Sequence, residues 1–326
     1  MSGNRVTPVL RRVVARISRT LDLGTREVAG EYRAASRTLD LGRREFSRAD
    51  SFESEMAQTR TTVQAHPFSG RQWNYRRSDA ESAMAARRLV EEVEFTGDMA
   101  ADAAKSKSEV RKVRSDDGEL NIYKPTRGER RDGVQRSYAS PGAQTTREIA
   151  AFRLDEMLGF GRIPPTARTP GMIGADGKPS GPGMVQQFVE STQALELPSY
   201  PRVQRQQMAV LDYIIGAEDR HYGNFRTVTG GDGHSIVAVD HGRSFPSTHG
   251  PFSVPIRSDF VAEQIGGKEP LDPSVLAAVK AVDPVKLTEA LGDAGLDPLA
   301  IKGALARLAK LKEFGDIPKN TPLNLD

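Results

Sequence analysis

One stretch limits what this chain can become: Leu211–Pro246, LDYIIGAEDRHYGNFRTVTGGDGHSIVAVDHGRSFP. It reads as the end of an apolar helix, a polar loop, a glycine-rich hairpin turn, a short apolar strand and a second polar loop. Acids stand where the apolar runs stop. Asp219 follows Tyr213–Ala217, Asp240 follows Ile236–Val239, and Asn224 lies five residues past Asp219. A core must form around both runs while the two loops stay polar and close to each other.

The rest of the chain is long enough to supply that core. It has 326 residues, 37% of them hydrophobic and 27% charged. Length of this order suggests one large domain or two. The net charge of +3 and pI near 9.1 suit an anionic partner without requiring one. There is no cysteine, which excludes disulfides and thiolate metal sites and fits a cytoplasmic chain. No apolar run approaches the roughly 20 residues of a membrane helix, and no secretory signal core is expected at the N-terminus.

Residues 1–95 differ in pattern from the remainder of the chain and are expected to form a helical, partly flexible N-terminal extension. Val6, Leu10, Val13, Val14, Ile17 and Leu21 recur at helical spacing with Arg5, Arg11, Arg12, Arg16 and Arg19 between them. This basic amphipathic pattern fits a helix packed on the protein itself or on a partner; an anionic membrane surface and a cleaved presequence are alternatives. The motif SRTLDLG-x-RE occurs at 18–27 and again at 36–45, an offset of 18 residues. Five helical turns span that offset, so both copies would share a face. Gly24 and Gly42 each weaken such a helix by about 1 kcal/mol relative to alanine. Residues 1–48 are thus expected to be a docking or localisation segment for a partner protein or an anionic surface, with peripheral membrane attachment or delivery elsewhere as what that would allow. Residues 49–77 read as a polar linker that docks through Phe68, Trp73 and Tyr75. A helix is expected over 78–95, with Ser78 as N-cap and Glu81 three residues on.

A domain over 96–326 is expected to begin with a hairpin, strands at 109–114 and 119–123 joined at Asp116-Asp117-Gly118. The second strand delivers Lys124. After a polar loop over 125–142, Thr145 and Thr146 are expected to cap a helix over 147–158 that carries Glu148 and stops at Gly159. A strand is expected over 183–189 and a buried helix over 204–216. Past a proline-containing loop, three helices are expected at 273–282, 284–292 and 298–312, with Asp272 capping the first and Pro273 at its first position.

The order is therefore hairpin, strand lysine, helix glutamate, strand, helix, Asp-x4-Asn loop, strand, aspartate. Phosphoryl transfer needs these parts: a lysine on the nucleotide phosphates held by a glutamate, an acid toward the acceptor hydroxyl, and an amide and a second acid for Mg²⁺. Other chemistries lack their signatures. The five histidines show no H-E-x-x-H spacing, there is no G-x-S-x-G elbow, and no aromatic-interleaved basic patch points to nucleic acid. Gly230–Gly233 fits a hairpin turn better than a phosphate loop.

Tyr123-Lys124-Pro125 with Gly128-Glu129-Arg130, Arg147–Phe152, Leu158-Gly159, Ile163–Thr166 and Gly181–Gln186 together resemble a bacterial group of phosphatidylinositol 3-/4-kinase-like proteins. Asp219-Arg220-His221-x-x-Asn224 and Val239–Phe245 extend the match, and the same loop logic is similar to HipA-type and secretory-pathway atypical kinases. The resemblance covers about Gly97 to the C-terminal helices. It implies an α+β, two-lobed, protein-kinase-like fold, with a small β-containing N-lobe and a mainly helical C-lobe. By position, Lys124 would bind ATP phosphate and Glu148 would pair with it. Asp219 would act on the acceptor, with His221 sharing that role or shaping the loop. Asn224 and Asp240 would hold Mg²⁺, the backbone of Gln187, Phe188 and Val189 would meet the adenine, and Met184 would wall the cleft. Arg220 and Arg243 could pair with the loop acids. The phosphate-covering segment before Lys124 is Lys105-Ser106-Lys107-Ser108, without glycine, so that Ser106 and Ser108 hydroxyls and backbone amides would serve there. The implied activity is Mg-ATP-dependent transfer to a hydroxyl, on Ser/Thr of a protein. A phosphoinositide or other small acceptor, or a nucleotide-binding module without catalysis, are the alternatives.

Overall fold

Two sets of apolar side chains divide the chain. The computed structural model describes residues 73–130, 138–173, 179–230, 233–248, 250–267 and 269–324. The repeat over 18–45, the basic segment before it, and Phe68 lie outside the described residues. The smaller set, Met84, Leu89, Val113, Tyr123, Ala167 and Val185, sits between a helix and a five-stranded antiparallel sheet. The larger set belongs to the helices of the second lobe.

The sheet is built from β1 (Leu89–Val93), β2 (Arg111–Ser115), β3 (Leu120–Pro125), β4 (Thr166–Thr169) and β5 (Gly183–Gln187) in the order β1-β2-β3-β5-β4. The expected turn at 116–118 joins β2 to β3, with Gly118 at φ +88. A strand places alternate residues on opposite faces. Tyr123 therefore enters the small core, while Lys124 points to the other face. Met184 is its register partner on β5 and shares that face.

Helix α1 (Asp79–Ala86) covers the core side of the sheet. Ser78 caps it, its hydroxyl accepting from the Glu81 N–H at 3.1 Å. The helix expected over 78–95 is thus only half formed. Arg87 is extended, and Leu89 to Val93 pair with β2 instead. Leu89 is fully buried and Val90 exposed, the alternation of a strand. Residues 79–93 therefore pack with the sheet lobe, although the boundary expected at 95 set them outside it, and Trp73 and Asn74 before them meet Gly292 and Glu289 of the helical lobe. Between β1 and β2 lies a helix not anticipated from the pattern, α2 (Gly97–Lys105).

Helix α3 (Ala143–Leu158) comes after β3 and joins the two lobes. It starts four residues earlier than expected, so Thr145 and Thr146 are inside its first turn rather than capping it. Glu129 does that work from outside. Its carboxylate accepts from the Gly142 N–H (2.9 Å) and from the Thr145 N–H and hydroxyl (both 2.7 Å). Gly159 ends the helix at φ +66. Most of α3 is buried, against β4 and β5 on one side and the helical lobe on the other.

The helical lobe contains α4 (Arg202–Ile215), the hairpin of β6 (Phe225–Gly230) and β7 (Gly233–Ala238), α5 (Asp259–Gly266), α6 (Pro273–Ala281), α7 (Pro284–Ala294) and α8 (Pro298–Phe314). Asp272 caps α6 as expected, accepting from Ser274 N–H at 2.8 Å. Helix α5 stands within the stretch expected as a proline-containing loop; Ser258 caps it, and Phe260 and Val261 anchor it in the core. The fold is a two-lobed α+β arrangement, an antiparallel sheet lobe joined by α3 to a mainly helical lobe. Among the described residues no helix is long and apolar enough to cross a membrane.

Candidate active site

The cleft lies between the sheet face bearing Lys124, the first turns of α3 and the loop that comes after β7; Asp219, His221 and Asn224, on the loop after α4, are outside its lining. Its lining includes Ser108, Lys124, Glu129, Glu148, Met184 and Asp240. Lys124 reaches both sides. Its ammonium donates to Glu148 Oε1 at 2.8 Å and to Asp240 Oδ1 at 3.0 Å. Burial alone would push the ammonium toward the neutral form, but Asp240 and Glu148 outweigh it and raise its pKa. Glu148 is itself 2% exposed. Burial would favour its protonated form, yet Lys124 and His241 hold it well below the usual carboxylate range. The second Glu148 oxygen accepts from the His241 N–H at 2.9 Å and lies 3.3 Å from His241 Nδ1. The residue after Asp240 thus grips the glutamate that grips the lysine. Arg147, the neighbour of Glu148, donates to the carbonyl of Ser244 at 2.7 Å. Helix α3 and the 240–245 loop are therefore tied at two successive residues.

The loop after α4 is shaped from beneath by Arg220. Its guanidinium pairs with buried Asp212 at 3.1 Å, and donates to the carbonyls of Asn224 and of Val239, the latter at 2.8 Å. Ser258 holds the other Asp212 oxygen at 2.8 Å. Arg220 thus pairs with an acid inside α4 rather than with Asp219 or Asp240. The Val239 N–H donates to the Asn224 carbonyl at 3.1 Å. This is how two residues sixteen apart, Asn224 and Asp240, come to one end of the hairpin. The Asn224 amide donates to the Asp219 carbonyl at 2.6 Å, which turns its oxygen away from that contact.

Asp219 lies at the rim with two guanidinium groups and one imidazole near it. Arg243 is at 3.2 Å, Arg257 at 3.5 Å and His221 Nε2 at 3.9 Å. The Arg243 contact is the expected one; Arg257, far along the chain in an irregular stretch, carries no sequence signal. His221 is half-buried, and its Nδ1 accepts from the Gly223 N–H at 3.0 Å.

Other expected residues fall less neatly. Ser108 lines the cleft, bonded to the Arg130 N–H (3.2 Å) and Gln144 (3.4 Å). Ser106 is exposed and donates to the Ser108 carbonyl at 2.8 Å, outside the lining. The Gln187 N–H donates to Pro165 O and the Phe188 N–H to Leu120 O, so neither donor faces an adenine. Val189 is the remaining residue of the three whose N–H is not drawn into the sheet lobe's own bonds. Met184 walls the cleft as expected.

A single exposed carboxylate and one amide fit Mg²⁺, which keeps several waters and takes the rest of its ligands from substrate phosphates. Asp240 is half exposed and Lys124 engages one of its two oxygens. Among the described residues there is no cluster of three acids or histidines that would make a dedicated protein cage.

Residues 175–266, which include Asp219, Asn224 and Asp240, match the family model described as phosphatidylinositol 3- and 4-kinase. Phosphatidylinositol 4-kinase gamma 4 of Oryza sativa subsp. japonica is 30% identical over 118 residues, 32% of this chain. That match spans only 21% of the plant protein. The crystal structure of the Golgi casein kinase is similar with a TM-score of 0.48 at 15% identity, over 73% of this chain and 75% of that one. The same kinase with Mn/ADP bound gives 0.47 at 17% identity, over 71% and 73%.

Proposed function

We propose that this chain is a Mg-ATP-dependent phosphotransferase acting on a hydroxyl. The observation that carries this reading is Lys124, held between Glu148 on α3 and Asp240 on the opposite loop, with Asn224 tied by its carbonyl to Val239, the residue before Asp240, and by its amide to Asp219. Lys124 would bind and orient the nucleotide phosphates, with Glu148 fixing its position. Asn224 and Asp240 would hold Mg²⁺, which when bound neutralises charge on those phosphates. Asp219 would align the acceptor hydroxyl and take its proton. Arg243 and Arg257 hold the Asp219 carboxylate in place. His221, half-buried and 3.9 Å from it, borders the place where the acceptor would approach. Ser108 and the backbone around it would meet the phosphates from the sheet side, with Val189 and Met184 toward the base.

The acceptor in this reading is Ser or Thr of a protein. An inositol lipid is the second reading, favoured by the family match over 175–266. Both fit a chain that acts in the cytoplasm and is recruited through residues 1–48 to a partner or an anionic surface. The test is turnover of labelled ATP, with lipid and protein products separated. Asp219→Ala and Asp240→Ala are each expected to lower turnover by at least about 100-fold. The kinase reading is falsified if both variants transfer phosphate at the parental rate. A chain that shows a Mg²⁺-dependent nucleotide thermal shift without turnover would instead be a binding module.

A further inference from the structure

Helix α2 occupies the connection between β1 and β2, and both its ends are fastened. At its start, Asp98 and Asp102 lie one turn apart on one face. Both meet Arg226 of β6 in the helical lobe, at 3.0 Å and 2.7 Å. Arg226 is buried, and its remaining donors go to Ser191 just beyond β5, to the hydroxyl at 3.1 Å and the carbonyl at 3.2 Å. Past its end, Ser108 bonds to Gln144 and Arg130, and the Glu109 N–H donates to Gly128 O at 2.9 Å. The segment 97–108 therefore runs from the strand-to-lobe junction after β5 to the part of the cleft lined by Ser108 and Lys124.

A flexible glycine turn can settle on phosphates by itself. This segment has no glycine after Gly97 and must be placed from outside. A guanidinium fork suits that task, since it fixes direction as well as distance. We propose that Arg226 is a positioning residue. Through Asp98 and Asp102 it sets the α2 segment across the cleft, and so places Ser108 and its backbone over the nucleotide phosphates. This rests on the phosphotransferase reading. Arg226 itself touches neither nucleotide nor acceptor.

The segment would touch ATP alike before and during transfer, so its loss should weaken nucleotide binding more than the chemical step. The experiment compares the parent chain with Asp98→Asn/Asp102→Asn, Arg226→Gln and Arg226→Lys. It reads KM for ATP, kcat, binding of a fluorescent ATP analogue, and amide exchange over 97–110. The asparagine pair and Arg226→Gln are expected to raise KM about tenfold while kcat stays within about twofold. Exchange should quicken over 97–110 in the same variants, and Arg226→Lys should recover part of the loss. Unchanged KM and unchanged exchange would overturn the proposal. So would an equal fall of kcat and kcat/KM together with a lower Tm, the signature of general damage to the lobe. A parent chain that neither binds nor turns over Mg-ATP would overturn the phosphotransferase reading itself, a result distinct from parent and variants binding alike.

Discussion

Asp240 and Phe245 are the two non-glycine residues at positive φ among those described, +57 and +50. Such a backbone costs a side-chain-bearing residue about 1–2 kcal/mol. Six residues of chain, 240–245, absorb both, with Arg147, Glu148 and the Ile215 carbonyl holding them. The strain fits an aspartate that must point back at Lys124 directly after a strand. It also separates function from stability at one position. Asp240→Gly and Asp240→Ala should both abolish transfer, but the glycine variant should be more stable than the alanine variant by about 1 kcal/mol. Urea denaturation of the two proteins measures that difference. Equal midpoints would show that the backbone there is not strained.

At the scale of elements, α3 decides how the site behaves. In a chain with its glutamate helix packed on the sheet lobe alone, that helix could swing. Here α3 is fixed to both lobes. Arg153, 2% exposed, pairs with Glu81 of α1 and Asp293 of α7 and donates to Ala290 O at 2.7 Å. The Tyr75 ring lies under its guanidinium at 4.1 Å. Trp73 fills the space over Gly292 so closely that a Cβ there would stand 2.3 Å from its ring. The segment before α1 thus straps the back of α3 to α7. Gly292→Ala should force Trp73 out, and because Trp73 is the only tryptophan its emission reports this directly. The expected result is a red shift with a fall in Tm. Removing Glu81 should be costlier, about 3 kcal/mol, because it leaves Arg153 buried with half its charge partners gone. An unshifted emission maximum in Gly292→Ala would show that the strap is not seated there.

These same elements show what sequence can and cannot reveal. Lys124, Glu148, Asn224 and Asp240 are legible because each stands at a change of pattern, where an apolar strand or helix meets polar chain. The three C-terminal helices and the Asp272 cap are legible from Asp-Pro starts and Ala/Leu spacing. Helix α2 is not, since GDMAADAAK has Met99 as its one large apolar residue and buries none of its residues. Strand β1 reads as helix because LVEEV offers two valines at helical spacing and only its partner β2 selects the strand. Glu129 as the cap of α3, Arg226 as the anchor of α2 and Arg257 beside Asp219 are contacts between residues far apart in the chain. No local periodicity encodes them. The same holds for the Gln187 and Phe188 N–H groups, which Pro165 and Leu120 take from elsewhere in the chain.

Across the whole molecule, buried acids of opposite tendency set how stability follows pH. Glu148 is held low by Lys124 and His241, so its contribution is present above the ordinary glutamate value and lost only as pH falls below it. Burial pushes Glu218, next to Asp219 and against Tyr138, up to about 7. Burial likewise raises Asp155 to about 6. These two bind protons in the folded chain that the unfolded chain has already released, so their contribution falls as pH rises through that range. His241, lowered by burial and by Arg220, acts in the opposite direction below its unfolded value. The net curve mixes all of these, but a difference between two proteins isolates one. Glu218→Gln cannot titrate, so it should gain stability relative to the parent as pH climbs from about 5 to about 8. The gain should amount to roughly 2–3 kcal/mol and level off above about 7.5, once the parent's Glu218 is ionised in both states. Thermal denaturation of both proteins across that range measures it. Parallel curves would mean that Glu218 ionises in the fold as it does in water, and that Tyr138, Arg147, Arg243 and Arg307 around it stabilise the carboxylate as well as solvent would.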